Sequence, residues 1–330
     1  MSIKEEIIQF CKKHGLDAIG FSECRIFHEL SPYFEERKKL GLENEFEEKN
    51  VDKRINPFLY MPEGKTIISI AFPYLYDLDF SSSACFSKYT LGRDYHIVTV
   101  EYMEKICNFI EGMGAKAMCF VDSNALPERY IACNSGVGFI GKNNTLITEK
   151  YGSYVFLGEI ITDLIIEPDK PLKQKCGKCE RCLNACPTNS IVKGHIGINN
   201  DANTCLSYIT QKKDIEDSWF EKLNGRLFGC DTCQRVCPYN NEIEFSTIKE
   251  LRPYEHMKRI DLKELMNIDN QLFKDKYKIT SCGWRGKNIL KRNAIINAIL
   301  IEKGKIIAAE KDTSPYIRDY YYRLLKLFKL

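Results

Sequence analysis

The chain has 330 residues, 28% of them charged, and a formal net charge of +3, which is chain enough for two or three domains that bury cores without needing a disulfide or metal to fold. Its 15 cysteines follow no secretory leader pattern, so a disulfide framework is set aside and reduced thiols in a cytoplasm are expected. No apolar run reaches the roughly 18 residues that a membrane span needs, which excludes a membrane-embedded function.

Ser2-Ile3-Lys4-Glu5 reads as a capping box ahead of Ile7, Ile8 and Cys11, apolar positions at helical spacing, and predicts an amphipathic first helix. Strand-like runs follow at Asp17 to Phe21, Thr66 to Phe72 and Lys116 to Val121, with helical stretches around Phe27 to Leu40 and His96 to Met113. Ser153 to Ile161 adds a further strand. This alternation predicts a sheet domain of α/β or α+β class over residues 1–170. Pro168 to Pro171 looks like a linker into a cysteine-rich module at 171–245. Residues 246–330 then form a helical segment, with Ile289, Leu290, Ile295, Ile296, Ile299 and Leu300, then Leu324, Leu325 and Phe328, at the spacing of an αα-hairpin. Residues 251–330 hold 18 Lys and Arg against 9 Asp and Glu, a net +9 that leaves −6 for residues 1–250. A basic tail on an acidic body suggests a polyanion partner; a solvated lysine-rich face is the alternative.

Cys176, Cys179, Cys182 and Cys186-Pro187 form C-x2-C-x2-C-x3-C-P, and Cys230, Cys233 and Cys237-Pro238 repeat its second half. Short C-x2-C steps let three thiolates converge on one cubane while the Cys-Pro cysteine swings to the other, so the runs read as a ferredoxin-like pair of [4Fe-4S] clusters. Eight thiolates are needed and Cys205 is the eighth. Cys176, Cys179, Cys182 and Cys237 then hold one cluster, and Cys186, Cys205, Cys230 and Cys233 the other. Paired C-x2-C steps also describe structural zinc, but runs of four closed by Cys-Pro are untypical of it. Cys11, Cys24, Cys85, Cys107, Cys119, Cys133 and Cys282 lack ligand spacing and are expected to be small buried apolar residues.

A pure carrier would stop at the clusters, so the sheet domain is expected to receive electrons. No G-x-G-x-x-G follows a strand, and Gly136 to Lys142 resembles a phosphate loop without the required hydroxyl, Asn143 standing in its place.

Taken in order, Arg54-Ile55-Asn56-Pro57, Gly92-Arg93-Asp94-Tyr95-His96, Val121-Asp122-Ser123, Pro127-Glu128-Arg129, Gly136 to Asn143, Cys205-Leu206-Ser207-Tyr208 and Phe228 to Pro238 resemble the epoxyqueuosine reductase family. The resemblance implies a two-cluster, cobalamin-dependent oxidoreductase that removes the epoxide oxygen from epoxyqueuosine in a tRNA anticodon, with the cobalamin lying between the sheet domain and the cluster module. It makes Asp122 the general acid, a role that asks for a carboxyl raised by burial. It implies cofactor contacts from Arg54, Lys142, Asn143, Thr145, Leu146 and Ser207. Arg285, Lys287, Lys291 and Arg292, beside Trp284, are the expected tRNA contacts, suited to phosphates and to stacking on unpaired bases. His96 is read as a solvent-facing residue opening a helix. The other expected partner is an external low-potential electron donor, and the chain is expected to act as a monomer. Gln211-Lys212-Lys213 departs from the family pattern, in which an apolar and an acidic residue follow Thr210. A related reductase of small molecules and a non-catalytic electron carrier are the alternative readings.

Overall fold

Ser2 caps the first helix as the sequence predicts: its hydroxyl accepts from the Glu5 N–H, and the Glu5 carboxylate accepts from the Ser2 N–H at 2.8 Å. The computed structural model, which describes residues 1–78, 84–122, 124–192, 200–302 and 312–330, begins with this helix, α1 (Ile3–Lys13), which buries Ile7 and Cys11. The chain divides into two compact units built from separated segments. Met1–Leu75, His96–Ala202 and Thr232–Lys249 make the first, and Tyr76–Tyr95, Asn203–Asp231 and Glu250–Leu330 the second. Residues 1–170 and 171–245 each supply parts of both. Among the described residues no helix is long and apolar enough to cross a membrane.

The first unit is built on a sheet of β1 (Ile19–Glu23), β2 (Thr66–Pro73), β3 (Ala117–Phe120) and β4 (Val155–Thr162) in the order β1-β2-β4-β3, with every neighbouring pair antiparallel. Of the two classes that the sequence left open, the parallel α/β form is not the one adopted. The strand β2 is buried along its whole length. Its continuous apolar run therefore reads alike in a parallel and in a covered antiparallel sheet, which is why strand direction was not legible. Helix α2 (Tyr95–Glu111) covers one face, its Met103 lying so close to Gly158 of β4 that a Cβ there would come within 3.0 Å. The opposite face carries α3 (Glu128–Asn134), where Ile131 packs with Ile67, Ile161, Phe27 and Phe34. Each such fully buried side chain contributes about 1.5–3 kcal/mol. The expected linker at 168–171 is instead pinned to β1, because Asp169 accepts from the Phe21 N–H at 3.0 Å and pairs with Lys4 at 2.7 Å.

In the second unit, α4 (Lys287–Glu302) and α5 (Pro315–Phe328) share one core with Phe220, Leu227, Phe228, Leu265 and Tyr277. The two expected tail helices thus pack together, and residues 303–311 of the connection between them lie outside the described residues. Buried amides on α4 hold the preceding chain. The side-chain amide of Asn293 donates to the carbonyls of Thr210 at 2.8 Å and Leu227 at 2.7 Å, and that of Asn297 to Arg226 at 2.9 Å.

Candidate functional site

Where β3 ends, the chain turns sharply. Asp122 takes φ 44, a left-handed conformation that Asp tolerates better than bulkier residues. Its Oδ2 lies 2.8 Å from Nε2 of His96, in the first turn of α2. The turn is held from the far side by Glu128 of α3, whose Oε1 accepts from the Asp122 N–H at 2.7 Å and from the Asn124 side-chain amide at 3.0 Å. The Asn124 Oδ1 accepts in turn from the Leu126 N–H at 2.7 Å. The Asp122 side chain is 48% exposed, so the chain itself does not supply the burial that a raised Asp122 would need.

Two further carboxyls stand behind this turn. Loss of water and the facing Asp122 charge push Glu128 up to about 7, against the pull of its two donors. Glu159, in the middle of β4, is fully buried and lies opposite Ser69 of β2 and Phe120 of β3. Burial first, and the Glu128 charge second, hold Glu159 well above the usual carboxylate range. The Ser69 hydroxyl donates to its Oε1 at 3.3 Å, while Oε2 has no partner among the described residues. Proximity in sequence does not signal the His96 contact, since 26 residues separate His96 from Asp122, whereas Glu128 lies only six residues beyond Asp122. Only the Glu of Pro127-Glu128-Arg129 had been singled out, as a motif without a role.

Cys237 lies near Cys176, Cys179 and Cys182 of the first run. Burial raises the Cys182 thiol, and the neighbouring Cys176 and Cys237 raise it further. Burial likewise raises Cys237, which also feels Cys176 and Cys179. These four are the expected ligand set of one cluster. No three His, Cys, Asp or Glu among the described residues gather tightly enough for a single metal ion, and a cubane asks for something else, one thiolate at each of four iron corners. Cys205 and Cys230 pack beside the core of the second unit, where Cys230 Sγ accepts from Arg226 Nε at 3.3 Å. Of the seven other cysteines, Cys11, Cys24, Cys107 and Cys282 are buried as expected, Cys119 and Cys133 are partly exposed and Cys85 is exposed. Cys119 is hydrogen-bonded to Cys107, which lowers its thiol to about 7.

Several residues expected at the cofactor are occupied within the chain. The Lys142 ammonium donates to the carbonyls of Gly177 and Cys179, both at 2.8 Å, and so braces the first cysteine loop. Arg54 is largely buried, paired with Glu43 at 3.2 Å and Glu47 at 3.6 Å, with its guanidinium 3.8 Å from the Phe34 ring centroid. Leu146 is buried in the short hairpin of Phe139–Ile140 with Leu146–Ile147. Thr145 donates its hydroxyl to Asn143 Oδ1 at 3.0 Å. Asn143 itself keeps a buried Nδ2 with no partner among the described residues. Ser207 sits in the second unit, in the short helix Leu206–Ile209 that follows Cys205.

The tail residues divide. Arg292 is fully buried and is not a tRNA contact: its guanidinium donates to the carbonyls of Lys212 at 2.6 Å, Lys213 at 2.7 Å and Thr210 at 3.3 Å, because its place on α4 faces the core. Lys291 is mostly buried and paired with Asp312. Arg285 and Lys287 stay partly exposed beside Trp284, which is 52% exposed. The Arg285 guanidinium stacks 4.7 Å from the Trp284 ring centroid, and both side chains donate to Gln211. The Gln211-Lys212-Lys213 departure is thus tied down by Trp284, Arg285 and Arg292.

A family model described as a 4Fe-4S double cluster binding domain matches residues 175–240, and one described as epoxyqueuosine reductase QueG, DUF1730, matches residues 54–123. An epoxyqueuosine reductase from Bacillus cereus is 36% identical over 304 residues, 89% of this chain and 79% of the relative. The crystal structure of an epoxyqueuosine reductase with a tRNA-TYR epoxyqueuosine-modified tRNA stem loop superimposes with TM-score 0.91 at 34% identity, covering 99% of this chain and 90% of that one. A Bacillus subtilis epoxyqueuosine reductase, solved with its catalytic aspartate loop swung out of the active site, matches with the same TM-score, identity and coverage. At this identity and coverage, the chain belongs to the epoxyqueuosine reductase family.

Proposed function

We propose that this chain reduces epoxyqueuosine to queuosine in the anticodon of tRNA, using two [4Fe-4S] clusters and cobalamin. The observation that carries the reading is the Asp122 turn, an exposed carboxyl paired with His96 and held from behind by Glu128, in a family whose relatives are solved with an epoxyqueuosine-modified stem loop and with a mobile catalytic aspartate loop. The eight cysteines hold the clusters in the two sets that their spacing implies.

Cobalamin is supported by Asn143, whose buried and unpartnered Nδ2 is a donor suited to an acceptor on the corrin side chains. Thr145 and Leu146 are the cofactor contacts proposed beside Asn143, and Ser207 is proposed from its motif, whereas Lys142 and Arg54 are engaged within their own chain. Bound and reduced by the clusters, cobalamin supplies the electrons and the nucleophile that open the epoxide. Overall the reduction takes two electrons and two protons, and the oxygen leaves as water. Asp122 donates a proton to the departing oxygen, and His96 at 2.8 Å is placed to return one to it. Closure of the substrate over Asp122 supplies the burial that the free chain lacks.

Arg285 and Lys287 meet phosphates, and Trp284 offers a face for an unpaired base. An external low-potential donor refills the clusters, and the protein acts as a monomer. The test is anaerobic reconstitution with iron, sulfide and cobalamin, incubation with tRNA bearing epoxyqueuosine, and mass spectrometry of the nucleosides. Formation of queuosine supports the reading. Bound cobalamin with no conversion would move it to another substrate.

A further inference from the structure

Asp122 occupies a left-handed backbone conformation that few non-glycine residues adopt, and such strain persists only where the surroundings fix it. Glu128 supplies one carboxyl oxygen that bonds both Asp122 and Asn124. Glu128 Oε1 accepts from the Asp122 N–H at 2.7 Å and from the Asn124 amide at 3.0 Å, while Asn124 N–H donates to the Asp122 carbonyl at 2.6 Å. We infer that Glu128 is a positioning residue, a latch whose carboxylate holds the Asp122 turn in the geometry that presents Asp122 to His96. The inference rests on the proposed reduction for its catalytic consequence, but the latch itself is a property of the free chain.

Burial behind Glu128 makes the latch responsive. Groups facing it are Asp122 and Asn124 on the turn, Glu159 from β4, itself bonded by Ser69 of β2, and the neighbouring Arg129 on its own helix. Two of these, Asp122 and Glu159, are carboxyls, and burial with the Asp122 charge outweighs Arg129 and the two donors, so a charge on Glu128 is disfavoured and its proton is lost only near neutrality. Ionised, it is the stronger acceptor for both donors. The hold on the turn therefore tightens as pH rises through about 7. Glu159 is shifted in the same direction, by burial first and by the Glu128 charge second.

Amide exchange on the reconstituted protein without tRNA, read at Asp122 and corrected for intrinsic rates, tests the latch independently of turnover. The parent should show protection at Asp122 that rises about tenfold between pH 6 and pH 8, and Glu128→Ala should lose it. Glu128→Gln keeps the acceptor oxygen and the volume, and should show protection that is flat across that range. Single turnover then reads the consequence: Glu128→Ala should lose at least tenfold in rate with tRNA affinity and cobalamin spectrum unchanged. Protection at Asp122 that survives Glu128→Ala, or a pH response that persists in Glu128→Gln, would overturn the latch. A parent that shows the latch yet forms no queuosine would instead sink the proposed reaction and leave the latch standing.

Discussion

His96 Nε2 and Asp122 Oδ2 stand 2.8 Å apart, joining the first turn of α2 to the end of β3. The pair gives the exposed Asp122 carboxyl a partner that both orients it and can exchange a proton with it. General acid–base assistance of this kind is worth about 10²–10⁴-fold, and Asp122→Asn should lose that much in single-turnover rate. His96→Ala should lose a smaller factor, roughly tenfold, with iron and cobalamin content unchanged. A His96→Ala rate equal to that of the parent would reduce the contact to a surface hydrogen bond.

Lys142 yields a prediction about the clusters and none about the corrinoid. Its two bonds to Gly177 and Cys179 carbonyls are charge-assisted and together contribute about 1–3 kcal/mol at a partly exposed site. Lys142→Met should leave cobalamin affinity unchanged while iron is released several-fold faster under a chelator. Slower cobalamin binding with normal iron retention would return Lys142 to the cofactor.

Arg292 and Lys287 lie five residues apart on one helix and should behave oppositely. Arg292→Ala removes the donors to three carbonyls, at about 1–3 kcal/mol for an acceptor left without a partner, and should appear as a lowered unfolding midpoint of the second unit. Lys287→Ala should leave the midpoint in place and reduce the salt dependence of tRNA binding by about one phosphate contact.

This contrast shows what the sequence could and could not convey. The capping box at Ser2 and the cysteine steps were legible because their partners lie within a few residues, and local spacing decides the geometry. Arg292 was not separable from Lys287 by composition, since charge count is blind to which side of α4 faces the core. The His96 contact to Asp122 spans 26 residues and depends on tertiary packing, whereas Glu128 lies six residues from Asp122 and its motif carried no sign of the bond. Lys142 was assigned to the cofactor by the family resemblance, and its bonds to the Gly177 and Cys179 carbonyls, 35 and 37 residues away, have no local signal in the sequence.

Stability should also depend on Glu128 across a defined pH window. Its folded value of about 7 lies above the unfolded 4.5, so the native state holds a proton that the unfolded state has lost, and the stabilisation present below pH 4.5 falls away as pH rises to about 7. Glu159 shifts in the same direction. Glu128→Gln removes one of the two contributions, at most about 3 kcal/mol, so its unfolding midpoint should gain on that of the parent from pH 5 to pH 8. A constant difference across that range would contradict the assignment.

Cys119, lowered to about 7 by its bond from Cys107, should react with iodoacetamide at pH 7.5 ahead of the buried thiols. Buried Cys11 and Cys282, each pushed up to about 12, should remain unmodified in the folded protein. Peptide mapping of alkylated holoprotein reads the order directly, and equal labelling of the three would remove the distinction.

The central claim, that Asp122 delivers a proton during epoxyqueuosine reduction, is tested most directly by single-turnover conversion of epoxyqueuosine-bearing tRNA in parent and Asp122→Ala proteins matched for iron and cobalamin content. Queuosine formed by the parent only when cobalamin is present, and slowed at least a hundredfold in Asp122→Ala with tRNA affinity retained, is the predicted result. Conversion at the parental rate in Asp122→Ala, with both cofactors loaded, would contradict it.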